Sequence, residues 1–406
     1  MNILFLSQEN PYPPDGGHYI RTYNVLKMLA EQHNIFFVAT ANDDERIKYK
    51  QGLENLCKSA DILVIPQGKF KWRLLVSVIL NLFSPLPLTP KRNYTKQARA
   101  KIKKLIAENR IDLVHVDILS LALYFKDVGN IPKILVNHNV ESLRVHRWMK
   151  VEKNIFLKLF LFYQYLKLYH FEKFICPQFE RCIAVSEQDQ KILEEMCEPN
   201  NFEVLPNGVD IQYFSPQDNI KIIKNSLIWV GGMRYAYSAD AVDYFLDEIL
   251  PLIRIKISDI QVSFIGGSPT SKLIKNAKEN PNIKVPGYVD DVRTYIQQSS
   301  VFIAPIRSGS GTKLKVLNAM ALEKAVVTTS IGAEGIKVKP GEDIIIADTA
   351  QEFAQKTIDL LQHPEEANKM GKKGRKVIEK YYSWESIGEK MYKVYDEVRH
   401  KNIITL

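Results

Sequence analysis

Short apolar runs alternate along the chain with longer segments whose apolar residues recur at helical spacing. Runs of four to eight residues separated by helices are typical of parallel βαβ units covered by two helical layers. The first series of predicted strands covers 2–7, 35–39, 61–65, 112–116, 133–136, 182–185 and 203–205. A second series covers 227–230, 261–265, 301–304, 325–328 and 343–346. The pattern therefore predicts an α/β fold built as two successive αβα sandwiches.

Pro, Asn-Gly and Asp cluster at 206–216, between the two series, which is typical of a linker. We therefore predict one domain at 1–210, a second at 211–384, and a C-terminal helical segment at 385–406. A chain of 406 residues has the length of two or three domains, which agrees with this division.

The composition is that of an ordinary globular protein, with 46% hydrophobic and 25% charged residues. The four cysteines form no C-x2-C pair, and so few cysteines in a long chain indicate a reducing compartment. The first residues do not have the pattern of a secretory leader, and no apolar run reaches 18 residues. We expect a cytoplasmic protein without a transmembrane helix.

The formal net charge of +9 is unevenly distributed. Residues 69–173 contain 20 Lys and Arg against 7 Asp and Glu, a net charge of +13 that leaves −4 for the rest. The segment includes 155–175, where Phe, Tyr and Leu are mixed with lysines, a composition typical of a helix at a membrane surface. The alternative is an ordinary domain helix with a solvated lysine stripe. We expect contact with an anionic membrane surface and no binding to nucleic acid, because no nucleic-acid module is recognisable.

A glycine-containing loop follows the strand predicted at 301–304 and precedes a helix. Gly309 and Gly311 would let a ligand approach the backbone, and we expect Thr312 to cap the helix. The free N–H groups of a helix N-terminus bind anions, and Lys313 and Lys315 add positive charge there. The loop therefore predicts a phosphate site, although it matches neither the Walker A nor the dinucleotide-binding glycine pattern.

Two further glycine pairs end predicted strands. Gly16-Gly17 follows the first strand and precedes a long helix. Gly231-Gly232 follows the first strand of the second series and leads to Arg234, whose guanidinium suits phosphate. Each pair is also compatible with a plain turn.

An ordered set of motifs resembles the family 4 glycosyltransferases, retaining enzymes of the GT-B class, from about residue 2 to residue 395. Its pieces are the early Gly-Gly loop, His138-Asn-Val-Glu-Ser142, Ala184-Val-Ser186, Pro206-Asn-Gly-Val-Asp210, Gly231-Gly-Met-Arg234, Phe264-Ile-Gly-Gly267, Pro286-Gly-Tyr-Val289 and the block at 305–335. The resemblance implies two facing Rossmann-like domains, with the active site in the cleft between them. The first domain would bind the acceptor, the second would bind a nucleotide diphosphate sugar, and the C-terminal helix would cross back. It implies no metal and no cofactor besides the donor substrate.

The resemblance also implies roles for individual residues. His138 would be the active-site histidine, and Asn139, Glu141 and Arg144 would contact the acceptor. The implied donor-binding residues are Gly16, Gly17, Arg234, Tyr288, Val289, Gly309, Ser310, Gly311, Thr312, Lys313, Lys315 and Asn318. His138 is also compatible with a strand-end residue that caps a loop, and Glu141 and Arg144 with a solvated helix face.

Two positions depart from the family's pattern. Ser310 and Asn318 stand where many members have a pair of glutamates, which usually bind the donor sugar and the ribose. Asn318 can still form a hydrogen bond to a ribose hydroxyl, without the assistance of a charge.

The resulting hypothesis is a retaining glycosyltransferase that moves a sugar to a hydroxyl of a glycan or lipid-linked acceptor in cell-surface polysaccharide or lipopolysaccharide synthesis. It would work in the cytoplasm, at the inner face of the membrane. The alternative is a non-catalytic partner of the same fold that regulates a membrane-associated transferase. A nicotinamide-dependent oxidoreductase is disfavoured, because the required glycine pattern and acidic residue are missing.

Overall fold

The chain forms two compact units, one made of residues 1–206 and 388–406 and the other of residues 207–387. The computed structural model describes residues 1–14, 17–41, 51–64, 71–197, 201–217, 219–309 and 311–403. Each unit has its own parallel sheet, as the alternating pattern predicts.

Within the described residues, the sheet of unit 1 has seven parallel strands in the order β3-β2-β1-β4-β5-β6-β7. The strands are β1 (Asn2–Ser7), β2 (Asn34–Ala41), β3 (Ser59–Val64), β4 (Leu113–Val116), β5 (Lys133–Asn137), β6 (Arg181–Ala184) and β7 (Phe202–Val204). The order reverses between β1 and β4, which pair in register from Ile3 with Leu113 to Leu6 with Val116. In open parallel sheets, ligands bind outside the carboxyl ends of the strands at such a reversal.

The helices of unit 1 cover both faces of this sheet. They are α1 (Gly17–Gln32), α2 (Gln51–Glu54), α3 (Lys71–Leu82), α4 (Leu88–Asn93), α5 (Lys96–Glu108), α6 (Glu141–Val151), α7 (Ile155–Ile175) and α8 (Glu187–Met196), with 3-10 turns at Leu119–Asp127 and Cys176–Gln178. Strands β1, β4 and β5 are almost fully buried, which matches their continuous apolar sequences.

Unit 2 repeats the architecture with strands in the order β10-β9-β8-β11-β12-β13. They are β8 (Ser226–Val230), β9 (Gln261–Ile265), β10 (Ile283–Gly287), β11 (Val301–Ala304), β12 (Val326–Thr328) and β13 (Ile345–Ile346). Strand β10 is absent from our predictions. Its sequence contains Lys284 and Pro286, and it tolerates them because it lies at the sheet edge with an irregular register.

The helices of unit 2 include a π-helical stretch at Phe245–Ile249 between α9 and α10. They are α9 (Ala236–Tyr244), α10 (Leu250–Lys256), α11 (Ser271–Glu279), α12 (Arg293–Gln298), α13 (Leu314–Ala321), α14 (Ala350–Gln362) and α15 (Pro364–Tyr381). The last helix, α16 (Trp384–Ile403), begins in unit 2, and its residues from 388 onward belong to unit 1. In unit 2 the sheet order reverses between β8 and β11.

Candidate active site

In unit 2, Lys315 occupies the sheet reversal, between the end of β8 and the start of α13. Its ammonium lies 3.9 Å from the centre of the Trp229 ring, and a Cβ added to Gly231 would lie 2.3 Å from its Nζ. A larger residue at position 231 would displace the ammonium, whose contact among the described residues is the indole face rather than a carboxylate. Burial, and to a lesser degree the nearby Lys313, lower the pKa of Lys315 to about 7.

Three glycine turns shape the backbone next to Lys315. Gly231, Gly266 and Gly287, which lie at the ends of β8, β9 and β10, all have positive φ angles. The amide of Gly231 donates to Ile265, and that of Gly266 donates to Gly287. A Cβ at Gly266 would lie 2.1 Å from the carbonyl oxygen of Gly231, so the turns pack backbone against backbone.

The loop before α13 is glycine-rich, as the sequence indicates, but its helix begins one residue later than predicted. Lys313 is the N-cap residue and makes no side-chain capping bond, so the prediction of a Thr312 cap is wrong. The hydroxyl of Thr312 is buried without a hydrogen-bond partner among the described residues. The Lys313 ammonium instead donates to the Gly311 carbonyl at 2.6 Å, which folds its side chain back along the loop.

Most of the other predicted donor-site residues follow the carboxyl ends of strands in the unit 2 sheet. Gly309 and Gly311 have positive φ angles of 118° and 70°. Arg234 is exposed and donates to the Tyr235 hydroxyl, and Tyr288 and Val289 directly follow β10. Asn318 is half-buried on the second turn of α13. Ser310 lies outside the described residues.

In unit 1, a buried polar cluster lies beside the carboxyl ends of β4 and β5, and we call Asp117, His138, His115 and Thr22 the aspartate cluster. Asp117 Oδ2 accepts a hydrogen bond from Thr22 at 2.6 Å and lies 3.6 Å from His138 Nε2. Asp117 Oδ1 lies 3.3 Å from His115 Nε2. Burial alone would raise the pKa of Asp117, but His138 and then His115 outweigh it and hold the pKa well below its ordinary value.

His115 connects this cluster to the C-terminal helix. Its ring stacks on Phe5, and its Nδ1 is hydrogen-bonded to the hydroxyl of Tyr395 on α16. Burial lowers the pKa of His115, although Asp117 favours its charged form. Asp117 and Tyr395 were not predicted as site residues. Neither lies in one of the motifs that carry the family resemblance.

Glu172 is a second residue that the sequence analysis missed. It is fully buried on α7, and its carboxylate accepts hydrogen bonds from the Glu141 and Ser142 amides at 2.7 and 3.2 Å. These amides open α6, so Glu172 satisfies the helix N-terminus directly after His138. Burial raises the pKa of Glu172 to about 7, although the two backbone hydrogen bonds oppose the shift.

The predicted acceptor residues lie on α6 and on the loop before it. Glu141 and Arg144 form an ion pair, with Arg144 Nη2 at 2.6 Å from Glu141 Oε2. Asn139 follows His138 and is half-buried.

Gly17 is the first residue of α1, after β1, while Gly16 lies outside the described residues. Asn137, the last residue of β5, has both side-chain polar atoms buried without a partner among the described residues.

A shallow cavity elsewhere in unit 2 contains none of the predicted site residues. Its lining includes Ser226, Lys284, Tyr295 and Ser299. Ser226 is the first residue of β8, at the opposite end of the strand from Gly231. The candidate chemistry therefore lies in the polar clusters rather than in this cavity.

Two family models cover most of the chain. One, described as Glycosyltransferase Family 4, matches residues 16–213, and the other, Glycosyl transferases group 1, matches residues 224–363. The boundary between the two models coincides with the linker region after β7. The two matches confirm the resemblance drawn from the motifs.

Individual relatives have low sequence identity to this chain, but their alignments cover more than half of it. The chain is 23% identical to an uncharacterized 44.6 kDa protein in the cps region of Klebsiella pneumoniae, over 88% of this chain and 90% of that protein. It is 25% identical to the capsular polysaccharide biosynthesis glycosyltransferase CapM of Staphylococcus aureus, over 58% of this chain and 66% of CapM. Among solved structures, Anabaena HepE in complex with UDP-glucose has a TM-score of 0.66 at 14% identity, over 98% of this chain and all of HepE. The GT-B fold is confirmed.

Proposed function

Because this chain belongs to the family 4 glycosyltransferases, we propose that it is a retaining, metal-independent transferase that takes a sugar from a nucleotide diphosphate sugar. The acceptor is a hydroxyl of a glycan or of a lipid-linked saccharide. The product belongs to a cell-surface polysaccharide or lipopolysaccharide, as the name of CapM supports. The reaction takes place at the inner face of the membrane. 

The position of Lys315 is the observation that carries this proposal. Its ammonium lies at the sheet reversal of unit 2, against Gly231 and the Trp229 ring. It also stands on the first turn of α13, where its positive charge opposes the helix dipole. A diphosphate bound there would resolve this repulsion, and its leaving charge would be neutralised by a lysine and by helix amides.

In this proposal, each residue of the donor site has a role. Lys315 and Lys313, together with the amides after Gly311, hold the diphosphate, and Arg234 adds a further cation. Asn318 forms a hydrogen bond to the ribose, and the Tyr288-Val289 backbone faces the base. The glycine turns allow the phosphates to approach the backbone closely.

The aspartate cluster supports the role of His138. Asp117 Oδ2 lies 3.6 Å from His138 Nε2, and Glu172 fixes the start of the helix that follows His138. His138 would therefore support the reacting centre as a side chain that Asp117 holds in position. The acceptor hydroxyl attacks the face from which the diphosphate leaves, and the leaving phosphate takes its proton. Asn139, Glu141 and Arg144 position the acceptor, which requires the Glu141–Arg144 ion pair to rearrange or to bind as a unit.

A donor screen tests the proposal. The full chain is incubated with UDP-, GDP-, ADP- and dTDP-sugars, and donor hydrolysis, transfer to lipid-linked saccharides and nucleotide affinity are measured. We expect micromolar binding of one nucleotide and slow hydrolysis of its sugar. Absence of binding and turnover across the panel would refute the proposal, while binding without turnover would favour the non-catalytic alternative, to which Ser310 and Asn318 point.

A further inference from the structure

Helix α7 of unit 1 buries several polar side chains and exposes large apolar ones. Its side chains Gln164, Lys167 and Glu172 are buried, whereas Phe156 is 81% exposed and Leu159 is 59% exposed. The other exposed apolar residues of α7 are Ile155, Phe162, Tyr163, Leu166 and Phe174. A helix at a water-facing surface shows the opposite arrangement. The solvated lysine stripe considered from the sequence is therefore wrong for Lys167.

Helix α3 extends the same apolar surface. Its exposed apolar residues, with the one that follows it, are Leu75, Val76, Ile79, Leu80, Leu82 and Phe83. Phe83 is 87% exposed. Among the described residues, none of the helices combines the length and the hydropathy of a transmembrane span.

A buried polar cluster joins the two helices. The Lys167 ammonium donates to the carbonyl oxygen of Asn81 at 2.6 Å, at the C-terminal end of α3. Gln164 donates to Asn81 Oδ1 at 2.8 Å, and the Tyr163 hydroxyl donates to the Leu82 carbonyl at 2.7 Å. These bonds hold the polar groups of α7 inside and fix α3 beside it, so the apolar side chains of both helices face outward together. We call this surface, formed by the exposed residues of α3 and α7, the apolar face.

The charge around the apolar face identifies its partner. Residues 71–95, which include α3 and α4, contain four Lys and Arg and no Asp or Glu. Lys91 on α4 is exposed and close enough to Lys167 to lower the pKa of that lysine, after burial as the larger cause. Lys150, Lys153 and Lys158 lie on or beside the start of α7, with Glu152 as the acidic residue among them. Aromatic and aliphatic side chains surrounded by cations match the interface of an anionic bilayer.

We propose that α3 and α7 dock unit 1 on an anionic lipid bilayer, with Phe83 and Phe156 inserted below the headgroups and the surrounding lysines on the phosphates. This proposal supplies the membrane-facing surface for the proposed function, and it can fail independently of the donor site. The bonds to Asn81 make the docking element a preformed pair of helices rather than a segment that folds on the membrane.

Vesicle flotation of the full chain tests the proposal, with phosphatidylcholine vesicles prepared with and without phosphatidylglycerol. We expect flotation with the anionic vesicles that weakens as salt is raised. The double variant Phe83→Ser/Phe156→Ser should bind these vesicles roughly tenfold to hundredfold less. Both side chains are exposed, so the variant keeps its core. Ile255→Ser, which removes a 75% exposed apolar residue from unit 2, is the matched control and should float like the parent chain.

A second measurement reports insertion directly. In Phe156→Trp, the indole emission should shift to shorter wavelength on addition of anionic vesicles and not on addition of neutral ones. Nucleotide affinity should be the same in all these variants, which separates failure of docking from failure of the donor site. Absence of flotation and of an emission shift would overturn the proposal. A lipid-free dimer that the double variant dissociates would also overturn it, because the apolar face would then bind a second copy of the chain.

Discussion

The polar clusters of the two units differ in how fully their groups are paired. In unit 1, the Asp117 carboxylate accepts a hydrogen bond from Thr22 and faces two imidazoles, so both of its oxygens have polar neighbours inside the protein. In unit 2, Lys315 has an aromatic face for a neighbour and a helix dipole that opposes its charge. The contrast teaches that a charge inside the protein can have one of two uses. It can orient another side chain, or it can be left to bind a ligand. The aspartate cluster is of the first kind, and Lys315 is of the second.

A buried lysine of the first kind also exists in unit 2. Lys324, which follows the C-terminal end of α13, donates to the carbonyls of Gln297 and Ser299 at 2.9 and 2.7 Å. Burial lowers its pKa to about 8. The two ends of one short helix thus carry a lysine whose hydrogen bonds are internal and a lysine without such partners among the described residues. Lys324 therefore has a structural role, and of these two lysines Lys315 is the one available to an anion.

The largest effect should come from Lys315. Lys315→Ala removes a charged partner of the diphosphate, so the affinity for UDP-glucose, or for the donor found in the screen, should fall about a hundredfold. Isothermal titration calorimetry measures the loss, with Lys256→Ala as a control lysine at the end of α10. An unchanged affinity would mean that Lys315 belongs with Lys324 as a structural lysine.

Asp117→Asn should lower kcat about tenfold while donor affinity stays the same. The asparagine can still accept the hydrogen bond from Thr22, but it no longer places a negative charge beside His138. Thr22→Val, which keeps the carboxylate, is the control and should have a smaller effect. If nucleotide affinity falls in parallel with kcat, or if kcat does not change, the aspartate cluster is structural.

The pH dependence of donor binding sharpens the comparison further. The pKa of Lys315 is about 7 in the free protein, and a bound diphosphate raises it, so binding takes up a proton. Affinity should therefore be greatest below pH 7 and should fall about fivefold from pH 7 to pH 8. Calorimetry with UDP-glucose is suitable, because its esterified phosphates do not titrate in this range. Lys315→Arg, which stays charged, should show a flat profile; a slope that persists would assign the proton to another group.

The smallest effect is expected at Asn318. Asn318→Glu introduces the carboxylate found in many relatives, which forms a stronger hydrogen bond to a ribose hydroxyl than an amide does. The preference for a ribonucleotide over its 2′-deoxy form should rise about threefold. Competition binding with UDP and 2′-deoxy-UDP measures this ratio. An equal effect on both nucleotides would place residue 318 away from the ribose.

The fold and the strand ends were accessible to sequence reasoning because both depend on local periodicity. Apolar runs predicted the strands, and the glycine residues after β8 and β11 marked the ends of those strands. The edge strand β10 was not predicted, because Lys284 and Pro286 interrupt its apolar pattern. The Thr312 cap was wrong because a suitable residue type near a helix start does not determine which residue begins the helix.

The polar contacts around His138 could not be predicted, because they form between residues that are distant in the sequence. Thr22 and Asp117 are 95 residues apart, and His115 and Tyr395 are 280 apart. Glu172 could not be identified for the same reason, because it is one isolated acidic residue in a largely apolar helix. In each case the contact joins different elements of unit 1, while the sequence shows only isolated polar residues.

Helix α16 gives this protein a particular order of synthesis. Tyr395 and Val398 are buried in unit 1, yet they emerge from the ribosome after all of unit 2. Domains generally fold as they emerge, from the N-terminal end first. Unit 1 must therefore wait for α16, with His115 lacking its tyrosine partner until that helix has been synthesised. A chain released near residue 387 would contain all of unit 2 beside a unit 1 in which the Nδ1 atom of His115 has lost this hydrogen bond.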